Sequence, residues 1–314
     1  MGMREIAEVT ELMDDPRLDG ERTAVLLRSA GAADARIEIT PIPYEAPEDT
    51  SRTCDFVRVV LPGTRGALAG GHAPTLGIVG RLGAQQAQPD RIGYVSDADG
   101  STVAMAAALR LLRLAAAGAQ LPGDVIVTTH IATHVSITPR EPADFMGMPV
   151  SSETMNLHEV DAAMDAILSI DASKGNRLIN HPGVAISPTA MAGYLLPVAP
   201  GLLTILEQAT GAPARTFPLA LQDITPYSNG YRHFNSIMQP TVATSAPVVG
   251  VALTAAAVVP GSSTGASYEP ALQEATRFVV ETAKQFTQDR VSFFDIDEYD
   301  RLVAQYGDLT RFQS

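Results

Sequence analysis

The sequence predicts an α/β protein in which a mostly parallel sheet lies between two layers of helices, a three-layer αβα arrangement. Two observations predict it. Apolar strand-like runs alternate with amphipathic helical runs through the middle of the chain. Several of those runs are followed directly by acidic or histidine side chains, as at the binding edge of a parallel sheet. At 314 residues the chain can bury a large core, and we expect one domain over residues 1–314.

Composition limits the classes of protein to which this chain can belong. A net charge of −13 argues against binding to nucleic acid, whose phosphates call for basic patches. There is no apolar run of about 18 residues, so we expect no membrane span. The single cysteine, Cys54, excludes an internal disulfide framework. The first residues also lack the apolar segment of a secretory signal, which predicts a cytoplasmic protein.

The strongest helical pattern covers Ser101 to Ala117, where small and aliphatic residues recur near the spacing of one helical face. A polar turn with two carboxylates, Asp97 and Asp99, precedes this helix, and a short apolar strand at 91–95 precedes the turn. One carboxylate in such a turn can cap the helix. Two together also suit a divalent metal ion, so the motif leaves both interpretations open.

Hydrophobic periodicity predicts the remaining elements. Further helices are predicted at 4–13, 20–30, 157–167, 201–210, 269–286 and 291–306. Further strands are predicted at 36–41, 55–61, 125–130, 168–171, 184–187, 193–198 and 248–257, and residues 76–79 form an apolar core within a glycine-rich stretch. Residues 132–152 form a proline-rich loop that is too long for a simple connection, which favours an interface and a homo-oligomer.

Polar side chains stand at three predicted strand ends. They are Asp97 with Asp99, then His130, then Asp171. Because the ends of parallel strands line one edge of a sheet, we expect these groups to converge. Zinc and manganese bind mixtures of histidine and carboxylate, so we predict a divalent metal held by these four residues. Asp97 is the candidate bridging ligand, and His130 with His134 are candidate ligands or proton shuttles.

Each of these residues also has a structural interpretation. A lone histidine at a strand end is commonly a hydrogen-bonded core residue, and Asp171 can cap a turn. The unusually polar segment 220–235 supplies a candidate base, Asp223, which can equally belong to a structural network with His233. The predicted substrate-binding residues are Arg232, His233, Asn235 and Tyr268.

Runs along nearly the whole chain resemble an uncharacterised bacterial family, the domain of unknown function 1177. They include Val95-Ser96-Asp97-Ala98-Asp99-Gly100, Gln222-Asp223-Ile224-Thr225-Pro226-Tyr227, and the ranges 74–83, 145–147, 164–171, 174–177, 185–189 and 246–252. This resemblance implies identity with a family that has no established reaction.

A second resemblance is to the zinc-dependent aminopeptidase and deacylase superfamily. It rests on the order strand, Asp-x-x-Gly at Asp97 to Gly100, helix, strand, and a later strand ending at Asp171. It implies a zinc-aminopeptidase-like fold in which Asp97 bridges two metal ions and Asp171 binds one. The chain departs from that pattern at Tyr268, where a histidine ligand is expected. It departs again at Thr129-His130-Ile131, where paired glutamates are expected.

Three functional hypotheses follow. The first is a metal-dependent hydrolase of a small amide: a short peptide, an acylated amino acid or a cyclic amide, with His130, His134 and Asp223 as catalytic groups. The second is a metal-free lyase or isomerase on the same fold, with Tyr268 as a proton donor. The third is a catalytically silent binding protein. The fold alone does not choose among them.

Overall fold

The computed structural model describes residues 2–45, 51–81, 83–85, 93–135, 137–138, 145–173, 175–219, 236–257 and 267–313. Its helices are α1 (Met3–Asp14), α2 (Gly20–Arg28), α3 (Asp99–Ala116), α4 (Ser152–Glu159), α5 (Pro200–Thr210), α6 (Glu269–Phe286) and α7 (Ile296–Tyr306). Its strands are β1 (Arg36–Pro43), β2 (Thr53–Leu61), β3 (Leu76–Gly80), β4 (Ala84–Gln85), β5 (Val125–Ala132), β6 (Ile137–Thr138), β7 (Phe145–Met146), β8 (Ala166–Ser173), β9 (Gly183–Ile186), β10 (Thr189–Met191), β11 (Tyr194–Leu196) and β12 (Val248–Thr254).

The centre of the molecule is a mixed sheet whose middle strands are parallel. Among the described residues ten strands belong to it, in the order β1-β2-β5-β3-β8-β12-β10-β11, with β4 beside β5 and β9 beside β12. Strands β5, β3, β8 and β12 run parallel to one another, whereas the outer strands pair antiparallel. The four parallel strands therefore end at one common edge, which we call the carboxyl edge.

Helices and a 3-10 helix cover the two faces of the sheet. On one face α3 packs against α1 and α6, and α6 packs against α5. Alternate residues of β3 separate the two cores: Leu76 and Ile78 join the core of this helical layer, whereas Val79 joins a second core. That second core includes Ile237 of the 3-10 helix Ser236–Val242, and α4 lies on the same side. The predicted three-layer arrangement is confirmed.

One predicted helix is wrong in position. The sequence predicted a helix over 157–167, but α4 ends at Glu159 and the chain has entered β8 by Ala166. The helix begins early because Ser151 caps it, accepting a hydrogen bond from the Thr154 N–H. From Ala166 onward the apolar residues belong to the buried strand β8, and a short apolar run does not distinguish a strand from a helix.

The described residues of the proline-rich segment 132–152 include two short strands. These strands form the antiparallel pair β6 and β7, in which Ile137 faces Met146. Elsewhere in the described residues no helix is both long enough and apolar enough to cross a membrane.

Candidate active site

The predicted strand-end groups lie at the carboxyl edge, and all are buried. His130 is in β5 and Asp171 is in β8, with 0% and 2% of their surface exposed. Asp97 lies in the 3-10 turn Ser96–Ala98, and Asp99 is the first residue of α3, each 7% exposed. Because ionised side chains are rarely buried without a partner, four such groups at one edge require an explanation.

A glycine brings the start of α3 against the end of β8. A Cβ atom on Gly100 would lie 2.4 Å from the Ile170 carbonyl oxygen, so only glycine fits between the helix and the strand. Asp171 follows Ile170 directly. This close contact places the turn that contains Asp97 and Asp99 beside the end of β8, where Asp171 lies.

Side chains along β5 alternate between the two faces of the sheet. Thr129 Oγ1 lies 3.0 Å from Ser101 Oγ of α3, so it faces the helical layer. His130 points to the opposite face, as does Thr128, whose hydroxyl donates to the Glu159 carbonyl oxygen at 2.8 Å. The imidazole is therefore on the α4 side of the sheet.

Arg81 lies beside Asp171 at the end of β3. The register pairs Gly80 with Ile170, and the Arg81 N–H donates to the Ile170 carbonyl oxygen at 2.8 Å. The next residues in the two parallel strands, Arg81 and Asp171, are therefore neighbours. The Arg81 guanidinium is among the largest fully buried side chains of the protein.

Glu159 joins His130 and Arg81 in a buried ionic chain. One carboxylate oxygen of Glu159 lies 2.7 Å from His130 Nδ1, and the other accepts from Arg81 Nη1 at 2.7 Å. Arg81 Nη2 donates to the Gln239 side-chain carbonyl at 2.9 Å. The side chains of Arg81 and Glu159 are both essentially inaccessible to solvent. Charge-assisted bonds of this length are among the stronger hydrogen bonds in proteins.

The Glu159 contact fixes which nitrogen of His130 is available. Since a carboxylate accepts hydrogen bonds, His130 Nδ1 carries the proton, and Nε2 is the atom that can take up or release another. Nε2 has no hydrogen-bond partner among the described residues. Gly83, at φ +66°, lies against it, and a Cβ atom there would be 2.5 Å from Nε2. A glycine is therefore required beside this nitrogen.

Asp99 belongs to a second polar chain at the same edge. Its carboxylate accepts a hydrogen bond from the Ser267 hydroxyl, which in turn accepts one from Tyr94 at 3.0 Å. Burial raises the pKa of Asp99 to about 7, against the lowering effect of the Ser267 bond, and the neighbouring Asp97 raises it further. Burial, together with Asp99, raises the pKa of Tyr94 to about 12.

The described residues do not by themselves fit the predicted metal. Within them, no three histidine, cysteine, aspartate or glutamate side chains form a group that could hold an ion. His130 Nδ1 is already bonded to Glu159, and Asp171 Oδ2 accepts a hydrogen bond from Ser236. The assignment of Asp97, Asp99, His130 and Asp171 as ligands stays a prediction, and it needs further ligands from elsewhere in the chain.

The other predicted site residues are dispersed or lie outside the described part. His134 is half-buried, and its Nδ1 lies 3.0 Å from Thr133 Oγ1. Tyr268 is 54% exposed at the start of α6, directly after Ser267. The residues outside the described part are Asp223, Arg232, His233 and Asn235.

Two described residues that contact the site each follow directly after a range outside the described part of the chain. Ser236, which follows Asn235, donates to Asp171 Oδ2 at 3.3 Å. Ser267, which follows the range 258–266, donates to Asp99. Ser236 and Ser267 therefore both contact carboxylates of the carboxyl edge.

Sequence reasoning missed Arg81, Glu159 and Gln239. Arg81 carries the same signal that identified His130 and Asp171, a polar residue directly after an apolar strand. Glu159 and Gln239 carry none, because they reach the site from α4 and from the 3-10 helix on the far side of the sheet. Their sequence separations from Arg81, 78 and 158 residues, leave no periodic trace.

Comparisons with known proteins agree with this architecture. A family model described as "Protein of unknown function (DUF1177)" matches residues 45–314. The chain is similar in structure to Porphyromonas gingivalis glutaminyl cyclase, with 12% identity, a TM-score of 0.51, and coverage of 93% of this chain and 99% of that one. It also matches Legionella pneumophila LapA aminopeptidase, with 10% identity, a TM-score of 0.48, and coverage of 93% and 71%.

At these identities the likeness concerns the fold, and the glutaminyl cyclase match is the one that supports it. Among curated proteins no match to this chain was found.

Proposed function

This chain belongs to the DUF1177 family, and we propose that it is an enzyme that hydrolyses a small amide at the carboxyl edge of its sheet. The observation that carries the proposal is the concentration of buried ionisable groups there: Asp97, Asp99, Asp171 and the Arg81–Glu159–His130 chain. Burying charge lowers stability unless each charge is compensated, and such clusters are typical of functional sites.

The amide substrate class is an analogy. It rests on the names of the two structural neighbours, an aminopeptidase and a glutaminyl cyclase, together with the shared fold of the latter. Within that class we keep a short peptide, an acylated amino acid and a cyclic amide as candidates. The proposed substrate-binding groups Arg232, His233 and Asn235 would engage a carboxylate or carbonyl of the substrate, as a guanidinium does through two bonds.

His130 is the proposed proton-transfer group. Its Nδ1–H is held by Glu159, so Nε2 accepts a proton from a water molecule as that water attacks the amide carbon. The carbon–oxygen bond forms, the carbon–nitrogen bond breaks, and the proton on Nε2 passes to the leaving nitrogen. The products are a carboxylic acid and an amine, and Glu159 keeps the imidazole oriented throughout.

A divalent metal, zinc or manganese, is the second part of this proposal. Such an ion polarises a carbonyl and lowers the pKa of bound water. Asp97 and Asp171 are the carboxylates proposed to bind it, together with ligands from outside the described residues. The proton transfer through His130 does not depend on it.

A metal-free lyase or isomerase is the second candidate, and one observation favours it. Arg81 provides a fixed buried cation bonded to Glu159, and in such a dry environment a cation can stabilise a developing negative charge without a metal ion. His130 would then exchange a proton with a carbon or oxygen atom of the substrate rather than with water.

The test is turnover of an amide panel by the full chain and by two matched histidine variants. His130→Gln removes the proposed base, and His72→Gln removes a histidine that is exposed in a loop. Circular dichroism verifies that both variants are folded. We expect loss of turnover only in His130→Gln. Equal activity in both variants would contradict the role of His130, and no turnover of any amide would overturn the amide assignment in favour of the second candidate.

Metal content is measured in parallel by elemental mass spectrometry on protein purified without a chelator or a histidine tag. The metal-dependent form predicts one or two ions per chain, lost in an Asp97→Asn/Asp171→Asn variant. Amide turnover by protein that holds no metal would contradict that form and leave the His130 step in place.

A further inference from the structure

We propose that a cavity in the helical layer, remote from the carboxyl edge, binds a small anion that carries a carboxylate or phosphate group. The cavity has a volume of about 370 Å³ and lies between α3, α5, α6 and the start of α1. Its polar lining residues are Arg110, Gln208, Thr276, Arg277 and Glu281. Arg110 is eleven residues beyond Asp99 in α3, about 16 Å along the helix axis, so this cavity is separate from the proposed active site.

The two arginines of the cavity differ from the other partly buried arginines in having no close anion. Arg58, Arg81 and Arg113 each have a carboxylate oxygen within 3.0 Å. In the described residues Arg277 makes no hydrogen bond or ion pair, and its Nε is buried without a partner. Arg110 has only Glu5 at 3.8 Å, beyond hydrogen-bond distance.

Of the acidic residues near the cavity, Glu5 and Glu281 are engaged by other cations, whereas Glu274 interacts electrostatically with Arg277. Glu5 is closer to Arg113, at 3.2 Å, than it is to Arg110. Glu281 accepts a hydrogen bond from the Lys284 ammonium at 2.6 Å. The residues that line the cavity thus include two positive side chains and one negative one, in a chain whose net charge is −13.

Two further residues that can provide hydrogen-bond donors line the same space. Thr276 is 1% exposed, and its Oγ1 has no hydrogen-bond partner among the described residues. A buried hydroxyl without a partner lowers stability unless a ligand or water satisfies it. Gly2, which also lines the cavity, is the N-cap of the 12-residue helix α1 and provides no side-chain cap. The N–H groups and the dipole of this helix therefore favour an anion at the same place.

These features define the ligand by its chemistry. Two guanidinium groups, a hydroxyl and a helix N-terminus are all hydrogen-bond donors, and guanidinium groups bind planar carboxylates and phosphates through paired bonds. A volume of about 370 Å³ suits a small organic acid or a phosphorylated metabolite rather than a polymer.

The test is binding of inorganic phosphate and of succinate to the full chain, measured by thermal shift and by calorimetry at constant ionic strength, with chloride as the reference anion. Phosphate and succinate distinguish the two ligand chemistries. Since a ligand that binds only the folded state raises its melting temperature, we expect a rise with at least one of the two that chloride does not produce.

Variants separate a built site from a general effect of salt. Arg277→Gln and Arg110→Gln each remove one lining cation, and Arg290→Gln removes an exposed arginine that does not line the cavity. We expect about tenfold weaker binding in the first two and wild-type binding in the third. Equal responses in all three variants, or no response in the wild type, would overturn the proposal.

Thr276→Val keeps the test decisive should an arginine variant fail to fold. Valine has nearly the same shape and removes only the unpartnered hydroxyl, so the unliganded protein should be at least as stable as the wild type. We expect weaker anion binding in this variant, and unchanged affinity would contradict a direct contact between Thr276 and the anion.

Discussion

Two clusters of arginine and glutamate in this molecule have similar chemistry and very different surroundings. In the first, Arg81 and Glu159 are 2.7 Å apart with side chains 2% and 0% exposed. In the second, Arg113 of α3 binds Glu8 of α1, with side chains 18% and 27% exposed. Solvent screens the second pair, whereas the charged groups of the first pair contact only protein atoms.

The comparison teaches that the buried cluster cannot be explained by stability. A well-packed apolar group in place of a buried ion pair is often at least as stabilising. The second cluster, which is partly exposed, links α1 to α3 and loses less hydration than the buried one, which is an ordinary structural role. The buried cluster also holds His130, and this contact gives the carboxyl edge a histidine with one defined free nitrogen.

The largest expected effect is that of Glu159→Gln. This change leaves the Arg81 guanidinium buried without its carboxylate, and we expect the free energy of unfolding to fall by about 3–5 kcal/mol. Urea denaturation followed by circular dichroism measures it. A loss below about 1 kcal/mol would show that Arg81 finds another anion, and it would remove the distinction between the two clusters.

Glu8→Gln is the matched control, because it makes the same chemical change in the exposed cluster. We expect a loss of about 1 kcal/mol or less, which shrinks further in high salt because exposed ion pairs are screened. The loss in Glu159→Gln should be nearly independent of salt.

A smaller effect is expected at Asp99, whose partners differ from those of both clusters. Asp99 is buried beside a hydroxyl and a second carboxylate, and its pKa is raised from 3.8 to about 7. The folded state therefore binds this proton more tightly than the unfolded state does, and the stability it contributes is lost as the pH rises from about 4 to about 7. Asp99→Asn should thus stabilise the protein by roughly 2–3 kcal/mol more at pH 8 than at pH 5.

The measurement is urea denaturation of chelator-treated protein at both pH values. Asp15→Asn is the control, since the Asp15 carboxylate is exposed and bonds with Arg17 lower its pKa to about 2. Its ionisation is complete below pH 5 in both states, so its effect should be the same at the two pH values. A pH-independent effect of Asp99→Asn would mean that the folded protein carries this carboxylate ionised.

The sequence predicted the parts of the molecule that depend on local pattern. The predicted helix 101–117 corresponds to α3, Asp99–Ala116, and the predicted strand 125–130 lies within β5, Val125–Ala132. The burial of His130 and Asp171 at strand ends also follows from the alternation of strands and helices. Periodicity contains this information because each of these elements buries a face against a neighbour.

The rest depended on contacts between distant parts of the chain. Whether His130 meets a metal ion or a carboxylate is decided by α4, and the pattern around Glu159 predicted a helix that starts five residues later than α4 does. The guanidinium of Arg81 is identified as a buried partner only once the sheet order β5-β3-β8 is known. Long-range pairing of this kind has no counterpart in the spacing of residues.

The least direct effect is expected on the reactivity of Cys54, which lies in β2 near enough to the buried cluster for the Glu159 charge to act on it. Burial raises the pKa of this thiol above its ordinary range, and the Glu159 carboxylate raises it further. Under native conditions, alkylation of Cys54 should therefore require unfolding of the protein. Iodoacetamide labelling, followed by mass spectrometry, should speed up about tenfold for each 1.4 kcal/mol of stability lost in Glu159→Gln, and by at most about fivefold in Glu8→Gln. Rapid labelling of folded wild-type protein would show that solvent reaches Cys54 without unfolding. It would contradict the exclusion of solvent from the neighbouring Glu159 cluster.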